Sequence, residues 1–128
     1  SNAIEPGKRM LSTMTPTIVL KDKKPFLVLG TPGGSTILTS VFQTIINIIE
    51  FDLSVEDAIN KPKFHHQWQP DLIYIEEGFP ETVKNSLEEM GYEFKRRSPI
   101  GQTEVIKISD NGIEAVGDKR GDDSAAGY

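Results

Sequence analysis

The two longest apolar patterns in the chain meet at one point. Phe26-Leu27-Val28-Leu29 is a short unbroken run that stops at Gly30, and Ser35 to Phe51 is a longer series with helical spacing. The run reads as a strand covered on both faces. The series predicts a largely buried helix with Leu38, Val41, Phe42, Ile45, Ile48 and Ile49 on its apolar face, widened by Ile37 and Ile46. Ser40, Gln43, Thr44 and Asn47 fall on its other side. Burial in tertiary contacts overrides the modest helix propensity of so many β-branched residues.

The remaining pattern supplies shorter elements. Ile18-Val19-Leu20 and Pro25 to Gly30 flank a polar Asp22-Lys23-Lys24 turn and predict a hairpin. Ser54-Val55-Glu56-Asp57 has the form of a capped helix start, and Lys61-Pro62 ends that helix. Leu72 to Ile75 reads as a strand. Pro80 opens another helix, with Val83, Leu87 and Met90 as its buried stripe and Gly91 as its stop. Tyr92 to Phe94 alternates as a strand, and Asp110-Asn111-Gly112 joins two more at Thr103–Ser109 and Ile113–Val116. The order β-β-α-α-β-α-β-β-β predicts an α+β fold, a mostly antiparallel sheet with covering helices.

Between strand and first helix lies Thr31-Pro32-Gly33-Gly34-Ser35. The first N–H groups of a helix have no partner within it, and the helix dipole adds about half a positive charge there. Gly33 and Gly34 let a ligand atom approach the backbone closely. The segment therefore reads as a backbone-built site for a bound anion or a transient oxyanion, or as a tight connection with no ligand. It lacks the lysine of a phosphate-binding P-loop and the final glycine of a Gly-x-Ser-x-Gly elbow.

Composition narrows the chemistry. The 128 residues are 37% hydrophobic and carry a formal net charge of -5, which argues against nucleic acid or an anionic membrane as main partner. With no cysteine, disulfides and thiolate chemistry are excluded, while the compartment stays open. No apolar run reaches membrane-spanning length. Ser1-Asn2-Ala3 has the form of an expression-tag remnant. His65 and His66 are adjacent, so in extended chain they face opposite sides, which favours structural roles over a shared metal. Asp118, Asp122 and Asp123 read as a solvated tail or turn rather than a cation loop, and Glu76-Glu77 and Glu88-Glu89 read as solvated faces. The hydroxyl-rich Ser12 to Thr17 serves turn chemistry or a ligand carboxylate. No cofactor is expected.

Four stretches in order carry a family resemblance: Leu11 to Val19, Gly30-Thr31-Pro32-Gly33-Gly34-Ser35, Pro62 to Trp68, and the ending Ala126-Gly127-Tyr128. They resemble the C-terminal part of the small subunit of γ-glutamyltranspeptidase, also called glutathione hydrolase, and the likeness spans residues 4–128 as a single domain. The resemblance implies a fragment of an N-terminal-nucleophile hydrolase with an αββα sandwich. It implies cleavage of γ-glutamyl amides such as glutathione through a threonine acyl-enzyme, then transfer to water or to an amino acid or peptide acceptor. By the same resemblance Gly33 and Gly34 supply the oxyanion hole, and Ser12 and Thr13 hold the substrate α-carboxylate. The family usually shows two serines there; Thr13 keeps the hydroxyl and adds a methyl.

The nucleophilic threonine, the N-terminal part of the small subunit and the large subunit should lie outside this chain, leaving it inactive alone. The parent is expected in the periplasm or outside the cell. The truncated sheet should carry an open edge and an exposed apolar face, and so dimerise or exchange strands. Two alternatives stand beside this: a non-catalytic anion-binding or interaction domain, and a relative acting on another amide, such as a β-lactam side chain or poly-γ-glutamate.

Overall fold

The computed structural model describes residues 3–9 and 15–127. The hairpin of β1 (Thr17–Lys21) and β2 (Lys24–Gly30) closes through Asp22 and Lys23, both with positive φ, 51° and 65°. Two such residues give a turn whose twist matches that of the strands. β6 (Glu104–Ser109) pairs antiparallel with β2, and β7 (Gly112–Val116) pairs antiparallel with β6. The result is a four-stranded antiparallel sheet of order β1-β2-β6-β7.

One face of this sheet meets α1 (Thr36–Ile49) and α2 (Val55–Asn60). Leu27 and Leu29 project from β2 toward them beside Val105 of β6, the direct partner of Leu29. Ile37, Val41, Ile48, Val55, Ala58 and Ile59 complete the core. Ser54 caps α2, accepting from the Asp57 amide at 3.0 Å. The other face of the sheet carries Ile18, Val28 and Ile106 in one cross-strand row, with Ile18 63% and Ile106 41% exposed. Val28 is only half-buried, so β2 is covered on one face, not two.

The smaller second sheet places β4 (Ile73–Ile75) between β3 (Phe64–His65), antiparallel to it, and β5 (Phe94–Arg96), parallel to it. β3 is an addition to the expected order, since two residues are too few to show alternation. α3 (Glu81–Glu89) crosses between β4 and β5. It buries no residue completely: Met90 just beyond it is 71% exposed and Val83 46%. Three-residue strands offer little surface to a helix. What α3 covers is half-buried Leu87 and the stem of Lys84, whose ammonium lies 5.9 Å from the Phe94 ring centroid.

The face of α1 is rotated from the expected one. Leu38 and Phe42 are 68% and 60% exposed, while Ser40 and Thr44 are fully buried. Ser40 Oγ donates to the Ile100 carbonyl at 3.2 Å and Thr44 Oγ1 to the Ser40 carbonyl at 2.9 Å. Satisfied small hydroxyls permit close packing, so polarity alone did not mark the outer side.

Candidate functional site

β2 ends at Gly30 and α1 starts at Thr36, and the intervening turn requires glycine. Gly33 and Gly34 have φ of +140° and +61°, backbone conformations that residues with a side chain rarely adopt. The turn directs its carbonyls back toward the helix. The Gly33 carbonyl accepts from the Thr36 amide at 3.2 Å and from Thr36 Oγ1 at 2.9 Å, and the Gly34 carbonyl accepts from the Ile37 amide at 3.3 Å. Among the described residues, no acceptor takes the N–H of Gly33 or of Gly34. Ser35, at the cap position, makes no side-chain capping bond, and the first turn of α1 holds no acidic residue. Both glycines are exposed. They line an open cleft of about 400 Å³ with Thr15, Pro16, Gly30, Thr31, Pro32 and Ile37. A helix N-terminus whose leading glycine amides have no acceptor among the described residues, and whose first turn holds no acidic residue, suits an anionic oxygen.

The turn rests on a second segment, Ile100 to Thr103, of which the sequence pattern marked only Thr103, as the start of a strand. A Cβ on Gly33 would come within 3.5 Å of Gly101 Cα, and one on Gly101 would lie 3.0 Å from Thr31 Oγ1 and collide with Ser40 Oγ. Thr31 Oγ1 accepts from the Gln102 amide at 2.6 Å and donates to the Pro32 carbonyl at 2.8 Å. The Ile100 amide donates to Glu76 Oε1 at 2.8 Å and the Thr103 amide to Asp118 Oδ2 at 2.7 Å.

Glu76 and Asp118 are therefore not solvated: they are 5% and 0% exposed and belong to a buried charge cluster with Lys63 and Arg120. Arg120 reaches Glu76 with Nε at 2.8 Å and Nη2 at 2.6 Å, and Asp118 Oδ1 with Nη1 at 3.0 Å. Lys63 Nζ donates to the Ile59 carbonyl at 2.8 Å and lies 3.5 Å from Asp118. Burial opposes the Glu76 charge, but hydrogen bonds from Arg120 and the Ile100 and Lys63 amides hold its carboxyl below the usual value. Burial also opposes charge on Asp118, and the Thr103 and Arg120 amides with the two cations hold it low. Burial, then repulsion from Arg120, holds Lys63 below the usual lysine value despite Asp118 and Glu76. The sequence offered little signal, because the Glu76–Arg120 pair spans 44 residues.

The two histidines point apart. His65 is buried, with Nδ1 at 2.9 Å from Thr39 Oγ1 and Nε2 at 3.0 Å from Gln67 Oε1. Gln67 donates its amide hydrogen to the Gln69 carbonyl, so its oxygen faces the ring. His66 lies 3.0 Å from Asp71 Oδ1 at the surface. Among the described residues, no cluster of histidine and acidic side chains has metal-ligand geometry. Ser12 and Thr13, expected to hold a carboxylate, lie outside the described residues; Thr15 and Pro16, which follow them, form a wall of the glycine cleft.

Comparison with known proteins gives one consistent result. The family model described as Gamma-glutamyltranspeptidase matches residues 1–128. The glutathione hydrolase proenzyme of Escherichia coli (strain K12) is 46% identical over 131 residues, covering 100% of this chain and 22% of that relative. The chain thus spans about a fifth of the length of the curated relatives it matches. Among solved structures, γ-glutamyltranspeptidase from Pseudomonas nitroreducens complexed with L-DON superposes with a TM-score of 0.89 at 40% identity, over 99% of this chain and 68% of that one. A mutant of Helicobacter pylori γ-glutamyltranspeptidase superposes with a TM-score of 0.85 at 43% identity, over 94% of this chain and 67% of that one.

Proposed function

The chain belongs to the γ-glutamyltranspeptidase family, an enzyme family of the N-terminal-nucleophile hydrolase fold, and on that premise we propose that the Pro32–Ser35 turn is the oxyanion hole of a γ-glutamyl acyl transfer. A threonine hydroxyl outside this chain attacks the γ-carbonyl of a γ-glutamyl amide such as glutathione, with the threonine's own amine accepting the proton. The carbonyl oxygen becomes negative in the tetrahedral intermediate, and the Gly33 and Gly34 amides donate to it. Collapse expels the amine, which takes up a proton. Water or the amine of an amino acid or peptide then attacks the acyl-enzyme and releases the γ-glutamyl group. Ser12 and Thr13 hold the α-carboxylate of that group, and the parent acts in the periplasm or outside the cell.

The observation that carries this reading is the pair of glycine amides without an acceptor among the described residues, on residues that line an open cleft at a helix start. Two assays of γ-glutamyl anilide hydrolysis test it. The 128-residue chain alone should release no anilide above the uncatalysed rate, because the nucleophile is elsewhere. In the full-length gene product, Gly34→Val should obstruct approach to the amides and lower turnover about a hundredfold or more. Turnover within a few-fold of the parent removes the oxyanion role.

A further inference from the structure

Each of the two amides belongs to a peptide unit whose carbonyl is held by a threonine hydroxyl. The Gly33 N–H shares its peptide plane with the Pro32 carbonyl, which accepts from Thr31 Oγ1 at 2.8 Å. The Gly34 N–H shares its plane with the Gly33 carbonyl, which accepts from Thr36 Oγ1 at 2.9 Å and from the Thr36 amide at 3.2 Å. A trans peptide is rigid and its N–H points opposite to its C=O, so fixing the oxygen fixes the direction of the hydrogen. We infer that Thr31 and Thr36 are a matched pair of positioning residues that aim the Gly33 and Gly34 amides at the developing oxyanion. This rests on the oxyanion reading above.

The surroundings leave the two hydroxyls little choice. Thr31 Oγ1 already accepts the Gln102 amide at 2.6 Å, so its own hydrogen goes to Pro32. Gln102 in turn sits in the segment pinned by Glu76 at Ile100, by Ser40 at the Ile100 carbonyl and by Asp118 at Thr103. Gly101 fits behind the turn with no room for a side chain, which keeps that segment against Thr31. Thr36 is 1% exposed, so water does not compete for its hydroxyl. A carbonyl that accepts a hydrogen bond also polarises its peptide and strengthens the N–H as a donor. The threonines act through the glycine backbone and touch no reacting atom.

The test uses the full-length gene product with Thr31→Val, Thr31→Ser, Thr36→Val, Thr36→Ser and Gly34→Val, assayed on a γ-glutamyl anilide. Inhibition by a boronic acid analogue of γ-glutamate, whose tetrahedral adduct mimics the intermediate, is measured beside inhibition by glutamate. Each valine variant should lower kcat about tenfold or more with KM within about twofold, the loss expected when one hydrogen-bonded group misaligns. Boronate affinity should fall in step with kcat/KM while glutamate affinity holds. Each serine variant should return to within about threefold of the parent, because the hydroxyl alone is needed. If both valine variants keep parental kcat while Gly34→Val loses turnover, the positioning role is wrong and the oxyanion hole stands. If Gly34→Val also keeps its turnover, the oxyanion reading itself has failed. A valine variant that loses boronate and glutamate affinity equally, with kcat unchanged, also overturns the inference. Should Thr36→Val not fold, the half-buried Thr31 pair decides alone.

Discussion

Gly33 and Gly34 sit side by side but have different surroundings. A Cβ on Gly34 meets nothing within 4 Å, whereas one on Gly33 falls 2.5 Å from Thr36 Oγ1. Gly34→Ala should therefore lose only the left-handed backbone penalty, about 1–2 kcal/mol. Gly33→Ala should lose more, because it also pushes the Thr36 hydroxyl off the Gly33 carbonyl. Urea unfolding of the two variants checks this ranking, and equal losses would contradict the packing described. The glycine pair was legible in the sequence, since two glycines before an apolar helix leave a recognisable mark. The threonines on either side were not, because a hydroxyl that bonds the neighbouring peptide looks the same in sequence as one that faces water.

Elements hold the turn in place through charge as well as apolar packing. Asp118 is completely buried, and its partners come from three places: Lys63 after α2, Thr103 at the end of the 100–103 segment, and Arg120 after β7. Asp118→Ala would leave Lys63 buried without its carboxylate, and breaking a buried pair in this way costs about 3–5 kcal/mol. Denaturant midpoints should shift accordingly; a loss below about 1 kcal/mol would place the pair among ordinary surface ion pairs. The cluster also fixes a pH dependence. Glu76 and Asp118 titrate below their usual values of 4.5 and 3.8. A carboxyl with a depressed folded pKa adds stability above its unfolded pKa and loses it as pH falls through the folded one. Stability from these two carboxylates should be complete above about pH 5 and decline below pH 4, and a Tm that stays flat down to pH 3 would contradict it. The sequence hid this because neighbouring acids such as Glu76-Glu77 read as solvent-facing until a distant arginine is placed against one of them.

At the scale of the whole molecule, the chain leaves apolar surface open on two sides. Leu38, Phe42 and Ile49 follow one stripe of α1, and Ile18 and Ile106 lie on the uncovered face of the four-stranded sheet. Contiguous apolar surface of this kind drives association in water. We predict that the chain alone forms dimers or larger species by light scattering, and that Phe42→Glu with Ile106→Glu shifts it toward monomer. A monomer for the unaltered chain at high concentration would count against that. Element types and order were legible from periodicity, apart from the two-residue β3. The orientation of α1 was not, because a helix with apolar residues nearly all round does not reveal which side meets its own sheet.

The central claim is that two backbone amides at the start of α1 receive the negative oxygen of an acyl-transfer intermediate. A crystal structure of the full-length gene product with a γ-glutamyl boronate bound measures this directly. The account predicts one boronate oxygen within about 2.7–3.1 Å of both the Gly33 and Gly34 nitrogens. An adduct whose oxygens all bond elsewhere, with those amides left to solvent, would contradict it.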